Sequence, residues 1–167
     1  MAFGVDSKVV EAVTKAVRKV TDKPVIVKLS PNVTDIVEIA KAVEAGGGNG
    51  VSLINTLLGM AIDIHRRKPV LGNIYGGLSG PAVKPVALRM IHQVYKGVTI
   101  PIIGLGGIMT GTDAIEFMMA GAQAVQVGTA TMVDPTAISR IAREMSEYVE
   151  QHNLDNITDI VGAVHQA

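Results

Sequence analysis

Residues 101–130 read PIIGLGGIMTGTDAIEFMMAGAQAVQVGTA. An unbroken apolar run, IPIIGLGG (100–107), opens the stretch and reads as a buried strand ending in glycines. A short helix follows, with Thr112 as its expected cap and Ile115, Met118 and Met119 on its inner face. A small-residue turn then leads into a second apolar run, AVQVGTA (124–130). Strand, helix and strand at this spacing make a βαβ unit, whose strands are parallel and whose crossover is right-handed. The fold class is therefore α/β.

Working outward, residues 24–56 repeat the pattern. Pro24 precedes VIVKLS (25–30), a second buried strand. Thr34 is placed to cap a helix with Asp35 and Glu38 in its first turn and Ile36, Ile39, Ala40 and Val43 inward. The turn GGGNG (46–50) ends it, and VSLINT (51–56) is the next strand. The pairs PVIV/PIIG and GGGNGVSLIN/AGAQAVQVGT give a weak internal repeat. Asp6 is expected to cap a helix over 6–20 with Val9, Val13, Val17 and Val20 as its apolar stripe. Another helix starts near Pro85, with Ala87, Met90, Ile91 and Val94 inward. Asp134-Pro135 opens a third, carrying Ile138, Ile141, Ala142 and Met145, and a last amphipathic helix is expected over 156–165. Residues 57–82 fit neither period and hold Gly59, Gly72, Gly76, Gly77, Gly80 and Pro81. A long loop or small excursion of that kind usually serves function.

The chain has 167 residues, enough for one domain over 1–167. Its residues are 48% hydrophobic but only 3% aromatic, so the core must be aliphatic. The methionines fall on helix faces and read as core filler. Fifteen basic residues balance fifteen acidic ones, which argues against nucleic acid or an anionic membrane as partner. No apolar run reaches the ~18 residues of a membrane span and no signal peptide is visible, so a cytoplasmic protein is the expectation. Cysteine is absent, which removes disulfides, thiolate metal sites and cysteine nucleophiles. His65, His92, His152 and His165 lack ligand spacing, so no metal is expected.

Parallel βαβ folds gather functional groups at the C-terminal ends of strands. Here those ends offer Lys28, then Asn55 with Thr56, Gly106 with Gly107, and Gly128 with Thr129. Bare glycines let backbone N–H groups approach an anion, and a following helix N-terminus adds a favourable dipole. The motif Gly104-Leu105-Gly106-Gly107 and the pair Gly128-Thr129 stand where barrel enzymes often bind phosphate; the alternative is tight-turn glycine. Lys28 ends an apolar strand, and its head either faces the mouth or reaches solvent. Asn55 and Thr56 offer an amide and a hydroxyl able to read a polar heterocycle, or to cap a turn.

VKLSPN (27–32), INT (54–56), GGLSGPAVKP (76–85), PIIGLGGI (101–108) and AGAQAVQVGTA (120–130) occur in this order. Together they resemble the second half of the dihydroorotate dehydrogenase catalytic subunit, closest to the bacterial form that works with an electron-transfer partner. The resemblance implies a TIM (β/α)8 barrel, of which this chain would be about half, strands five to eight with their helices. It implies FMN as cofactor and oxidation of dihydroorotate to orotate in pyrimidine (UMP) biosynthesis. Lys28 would contact the flavin ring edge and Ile54 would line it. Gly80 would pass close to FMN, and Gly106, Gly107, Gly128 and Thr129 would hold its phosphate. Asn55 and Thr56 would hydrogen-bond the pyrimidine. A subunit with FAD and an iron–sulfur cluster would reoxidise the flavin, and a homo-oligomer is expected.

The family's catalytic cysteine has no counterpart. Met1-Ala2-Phe3-Gly4 resembles the tail of its motif, and a whole barrel takes ~250 residues. The expectation is a C-terminal half whose base lies upstream of Met1, with no catalytic residue in this chain. Two rivals stand beside it: another FMN- or phosphate-binding barrel enzyme, such as a dihydropyrimidine dehydrogenase-like or dihydrouridine synthase-like protein, and a non-catalytic, self-assembling half-barrel module.

Overall fold

Helix α1 (Ser7–Arg18) leads into strand β1 (Ile26–Lys28), helix α2 (Ile36–Ala45) and strand β2 (Gly50–Leu53) in a computed structural model that describes residues 3–166. Four short strands follow: β3 (Leu57–Met60), β4 (Ile62–Asp63), β5 (Lys68–Pro69) and β6 (Tyr75–Leu78). The chain continues through α3 (Lys84–Tyr95), β7 (Ile102–Leu105), α4 (Gly111–Met119), β8 (Ala124–Gln126), α5 (Thr129–Val133) and α6 (Ala137–Gln151). Met1 and Ala2, half of the Met-Ala-Phe-Gly stretch, lie outside the described residues, as does Ala167.

The main sheet has the order β1-β2-β7-β8, and every pairing in it is parallel. Val51 faces Val27 on one side and Ile102 on the other, and Ile103 faces Ala124. β2 is buried along its whole length, whereas β1 and β8 expose two of their three residues. The core lies between the sheet and the helices: Ile39, Val43, Val51, Leu53, Ile91, Val94, Ile102 and Phe117 are all nearly inaccessible. Among the described residues no helix is long and apolar enough to cross a membrane.

The expected inner faces of α2 and α3 are the observed ones: Ile36, Ile39, Ala40 and Val43, then Ala87, Met90, Ile91 and Val94. Helix α1 departs from expectation. Asp6 does cap it, accepting from the Lys8 and Val9 N–H groups at 2.9 and 3.2 Å. Its buried positions, however, are Val10 and Thr14, while Val13, Val17 and Val20 are 47%, 42% and 83% exposed. The helix docks through Thr14 onto the glycine turn after α2: a Cβ on Gly46 would lie 2.8 Å from the Thr14 Cβ. The Thr14 hydroxyl donates to the Val10 carbonyl at 2.7 Å, so it can be buried without an unmet hydrogen bond.

Both expected threonine caps shift. Asp35, not Thr34, caps α2, and Thr110, not Thr112, caps α4 in a reciprocal box with Asp113. On α6 only Ile141 is fully buried of the expected four; Ile138 is 56% exposed, next to β8, which is the outer strand of the sheet among the described residues. The 57–82 excursion is two antiparallel ladders, β3 with β6 and β4 with β5. No helix spans 156–165: two single 3-10 turns, Ile157–Ile160 and Ala163–His165, flank extended Val161 and left-handed Gly162 (φ 74°). The second turn lays the His165 ring between His92 and Tyr95, at centroid distances of 4.1 and 4.6 Å.

Candidate functional site

The strands are shorter than the apolar runs that encode them, so the candidate residues lie in the loops just beyond them. Lys28 is the last residue of β1; Ile54, Asn55 and Thr56 follow β2, Gly106 and Gly107 follow β7, and Gly128 follows β8 by two residues. Because the strands are parallel, these loops open at one end of the sheet. One cavity of ≈ 260 Å³ there is lined by Lys28, Ile54, Asn55, Thr56, Gly80, Gly106, Gly107, Gly128 and Thr129, the whole expected set. An apolar hollow beside it shares Lys28, Leu105, Gln126 and Gly128 and runs toward Ile138 and Met145 of α6.

The glycines divide into two kinds. Gly104 is a packing glycine, not part of an anion loop: a Cβ there would strike Phe117 at 2.6 Å and Ile91 at 2.9 Å. Gly106 and Gly107 instead adopt φ of 121° and 85°, a region open to glycine at little cost. Among the described residues, the N–H groups of Gly106, Gly107, Gly128 and Thr129 make no hydrogen bond. Unpaired donors converging on one hollow suit an oxyanion, and no carboxylate lines that hollow.

The antiparallel excursion forms the roof. β6 brings Leu78, Ser79 and Gly80 over the mouth, and the Thr129 hydroxyl donates to the Ser79 hydroxyl at 3.0 Å. Asn32 clips the Asn55–Thr56 loop from below, donating to the Thr56 carbonyl at 3.1 Å and accepting from the Leu58 N–H at 2.9 Å. Asn55 and Thr56 thus present an amide and a hydroxyl from a restrained backbone. The cavity side chains comprise one ammonium, amides, hydroxyls and apolar groups; no imidazole, thiol or carboxylate is among them.

Sequence reading missed Ser79 and Gln126 as cavity residues, although Ser79 stands inside GGLSGPAVKP. It also missed the charged girdle beneath the glycine loops. Lys84 pairs with Asp113 at 2.6 Å and with Glu116 at 2.8 Å. Burial alone would raise the Asp113 pKa, but hydrogen bonds from Lys84, Met109 N–H and Thr110 outweigh it and hold the carboxyl below its ordinary range. The bonds to Asp113 and Glu116 push Lys84 up. Arg140 contacts Asp134 at 3.4 Å and Glu144 at 3.1 Å and donates to the Met109 carbonyl at 3.2 Å. Glu144 accepts from the Gly111 N–H and is held below its ordinary value mainly by that bond. The box signal Thr110-x-x-Asp113 was the one sequence trace of this girdle.

Against known proteins, a family model described as dihydroorotate dehydrogenase matches residues 1–149. The chain is 62% identical over 165 residues to the catalytic subunit of dihydroorotate dehydrogenase B (NAD(+)) from Desulforamulus reducens. Subunits of the same name from Geobacter sp. strain M21 and Alkaliphilus oremlandii are 58% and 61% identical over 164 and 160 residues. These matches cover 99%, 98% and 96% of this chain but 54%, 54% and 53% of the relatives, so the chain spans about half their length.

Proposed function

The chain belongs to the dihydroorotate dehydrogenase family, and on that premise we propose that it supplies the FMN-holding and substrate-reading side of a cytoplasmic enzyme that oxidises dihydroorotate to orotate in de novo UMP synthesis. Residues 1–167 act in this reading as one unit, strands five to eight of a (β/α)8 barrel within a longer enzyme. The observation that carries it is the single cavity that draws Lys28, Asn55, Thr56, Gly80, Gly107 and Thr129 from separate strand ends.

FMN fits the donor set. The Gly106, Gly107, Gly128 and Thr129 N–H groups hold its phosphate, and the positive-φ turn at Gly107 leaves room only for backbone beside Gly80 and Lys84. Ile54 lines the ring, and Lys28 places a positive charge at its edge. Bound FMN would supply the hydride acceptor for a reaction in which one ring carbon of dihydroorotate loses hydride and its neighbour loses a proton. Asn55 and Thr56 orient the pyrimidine by hydrogen bonds, which fixes the carbon that faces the flavin. We assign the proton acceptor to a residue outside this chain, since the sequence has no cysteine to match the base that the family resemblance implies. The same observation favours a second, non-catalytic reading for the chain by itself.

Reoxidation through a partner subunit, with NAD as final acceptor, draws support from the relatives' names, which specify a catalytic subunit and NAD(+); that the partner carries FAD and an iron–sulfur cluster is part of the same proposal and rests on the sequence resemblance alone. Self-association belongs to the second reading, the chain by itself: among the described residues β1 and β8 each keep an edge that the remaining strands of a whole barrel would pair. Flavin fluorescence gives the test. The chain should quench FMN well below the concentration at which it quenches riboflavin, and orotate should then perturb the bound flavin's absorption. Equal affinity for the two flavins would overturn the phosphate assignment.

A further inference from the structure

Lys84 begins α3, directly after the Gly80 turn, yet it does not line the cavity. A cation in a helix's first turn opposes the helix dipole, so the position does nothing for α3 itself. Its ammonium reaches across to Asp113 at 2.6 Å and Glu116 at 2.8 Å on α4. The Lys84 and Asp113 side chains are 26% and 14% exposed, so the pair is partly shielded from solvent screening. The other Asp113 oxygen accepts from Met109 N–H at 2.8 Å and Thr110 N–H at 2.9 Å, just beyond the Gly106–Gly107 turn. The Lys84 backbone meanwhile abuts Gly107, where a Cβ would lie 2.8 Å from the Lys84 nitrogen. One ion pair therefore ties three pieces together: the loop carrying Gly80, the glycine turn after β7, and helix α4.

We infer that Lys84, acting through Asp113, is a positioning residue for the phosphate cradle: it sets the spacing between the Gly80 and Gly106–Gly107 backbones and thereby the affinity for a phosphorylated flavin it never touches. The inference rests on the FMN reading above. Glycine turns carry no side chain of their own to fix where their N–H groups point, so that direction has to come from neighbours. Arg140 restrains the far side of the same turn through the Met109 carbonyl, and its partner Glu144 holds the Gly111 N–H. Loss of Lys84 therefore loosens the turn without releasing it.

The full chain is compared as wild type, Lys84→Met and Lys84→Arg, by titrating FMN and riboflavin and by amide hydrogen exchange without flavin. Lys84→Met should weaken FMN about tenfold, as removal of an outer orienting partner typically does, while riboflavin changes less than about twofold. Lys84→Arg, which keeps the charge and can bridge both carboxylates, should recover most of the loss. Exchange at Met109 and Thr110, whose N–H groups Asp113 holds, should quicken in Lys84→Met while 115–119, inside α4, stay as they were. Unchanged FMN affinity, or equal loss for both flavins, overturns the inference. If the wild type itself fails to prefer FMN, the FMN reading falls, and the exchange rates decide the clamp alone: unchanged rates at Met109 and Thr110 overturn it.

Discussion

Gly107 meets Gly80 backbone to backbone: a Cβ on Gly107 would stand 2.9 Å from the Gly80 carbonyl oxygen. Both residues hold φ near +85°, at 85° and 84°. The turn after β7 and the turn after β6 therefore interlock where both backbones take a conformation that strains a side chain and where a Cβ on Gly107 has no room. The roof of the cavity is fixed to its floor there.

Gly107→Ala should be costly on two counts. The left-handed backbone costs an alanine roughly 1–2 kcal/mol, and the clash with Gly80 and Lys84 forces backbone to move. Urea unfolding should show a loss of about 2 kcal/mol or more, with FMN binding lost alongside. A variant within experimental error of wild type on both readouts would contradict the interlock.

Asn55→Ala separates substrate reading from cofactor holding. Hydrogen bonds to charged ligands are worth about 1.5–3 kcal/mol, so orotate should bind roughly ten- to a hundredfold more weakly to the flavin-loaded protein. FMN affinity should stay within about twofold, since the phosphate donors lie on other strands. Orotate titration followed by flavin absorption measures both. An unchanged orotate affinity would remove Asn55 from the substrate contacts.

The cluster of candidate residues was legible because parallel βαβ units send every strand's C-terminal end the same way, and a motif-by-motif reading needs only that. The inner faces of α2 and α3 were legible because both helices lie flat on the sheet. Helix α1 was not: it meets a glycine turn through Thr14, so its valine stripe marks the wrong face. The ladders of 57–82 join glycine-rich segments with little alternation to reveal them. Lys84 and Asp113 stand 29 residues apart, and nothing in either local sequence names the other.

Acid should undo the Lys84–Asp113 tie in a defined window. The Asp113 carboxyl is held below its ordinary value, so its contribution to stability is complete above that value and disappears as pH falls through the folded one. Lys84 is pushed up, so it keeps its charge throughout that window. Asp113→Asn should be less stable than wild type by a constant margin from pH 7 down to about pH 5, and the margin should shrink below about pH 4. Urea midpoints at stepped pH give the comparison; a margin that grows on acidification would reverse the sign assigned to Asp113.

The valines of α1 test how the molecule's open side behaves. Val13, Val17 and Val20 lie exposed before β1, and Ile138 lies exposed after β8; among the described residues β1 and β8 are the outer strands of the sheet. Apolar surface released to water costs about 25 cal/mol per Å², and unpaired parallel edges invite another strand. Val13→Ser with Val17→Ser should leave the fold's stability nearly unchanged, within about 0.5 kcal/mol, because neither side chain is in the core. Ile39→Ala, in the core opposite, should cost about 2–5 kcal/mol. If the chain by itself associates through this face, the serine pair should lower the sedimentation-average mass at micromolar concentration, since it removes exposed apolar surface while sparing the fold. An unchanged mass distribution, with stability also unchanged, would show that this face takes no part in self-association.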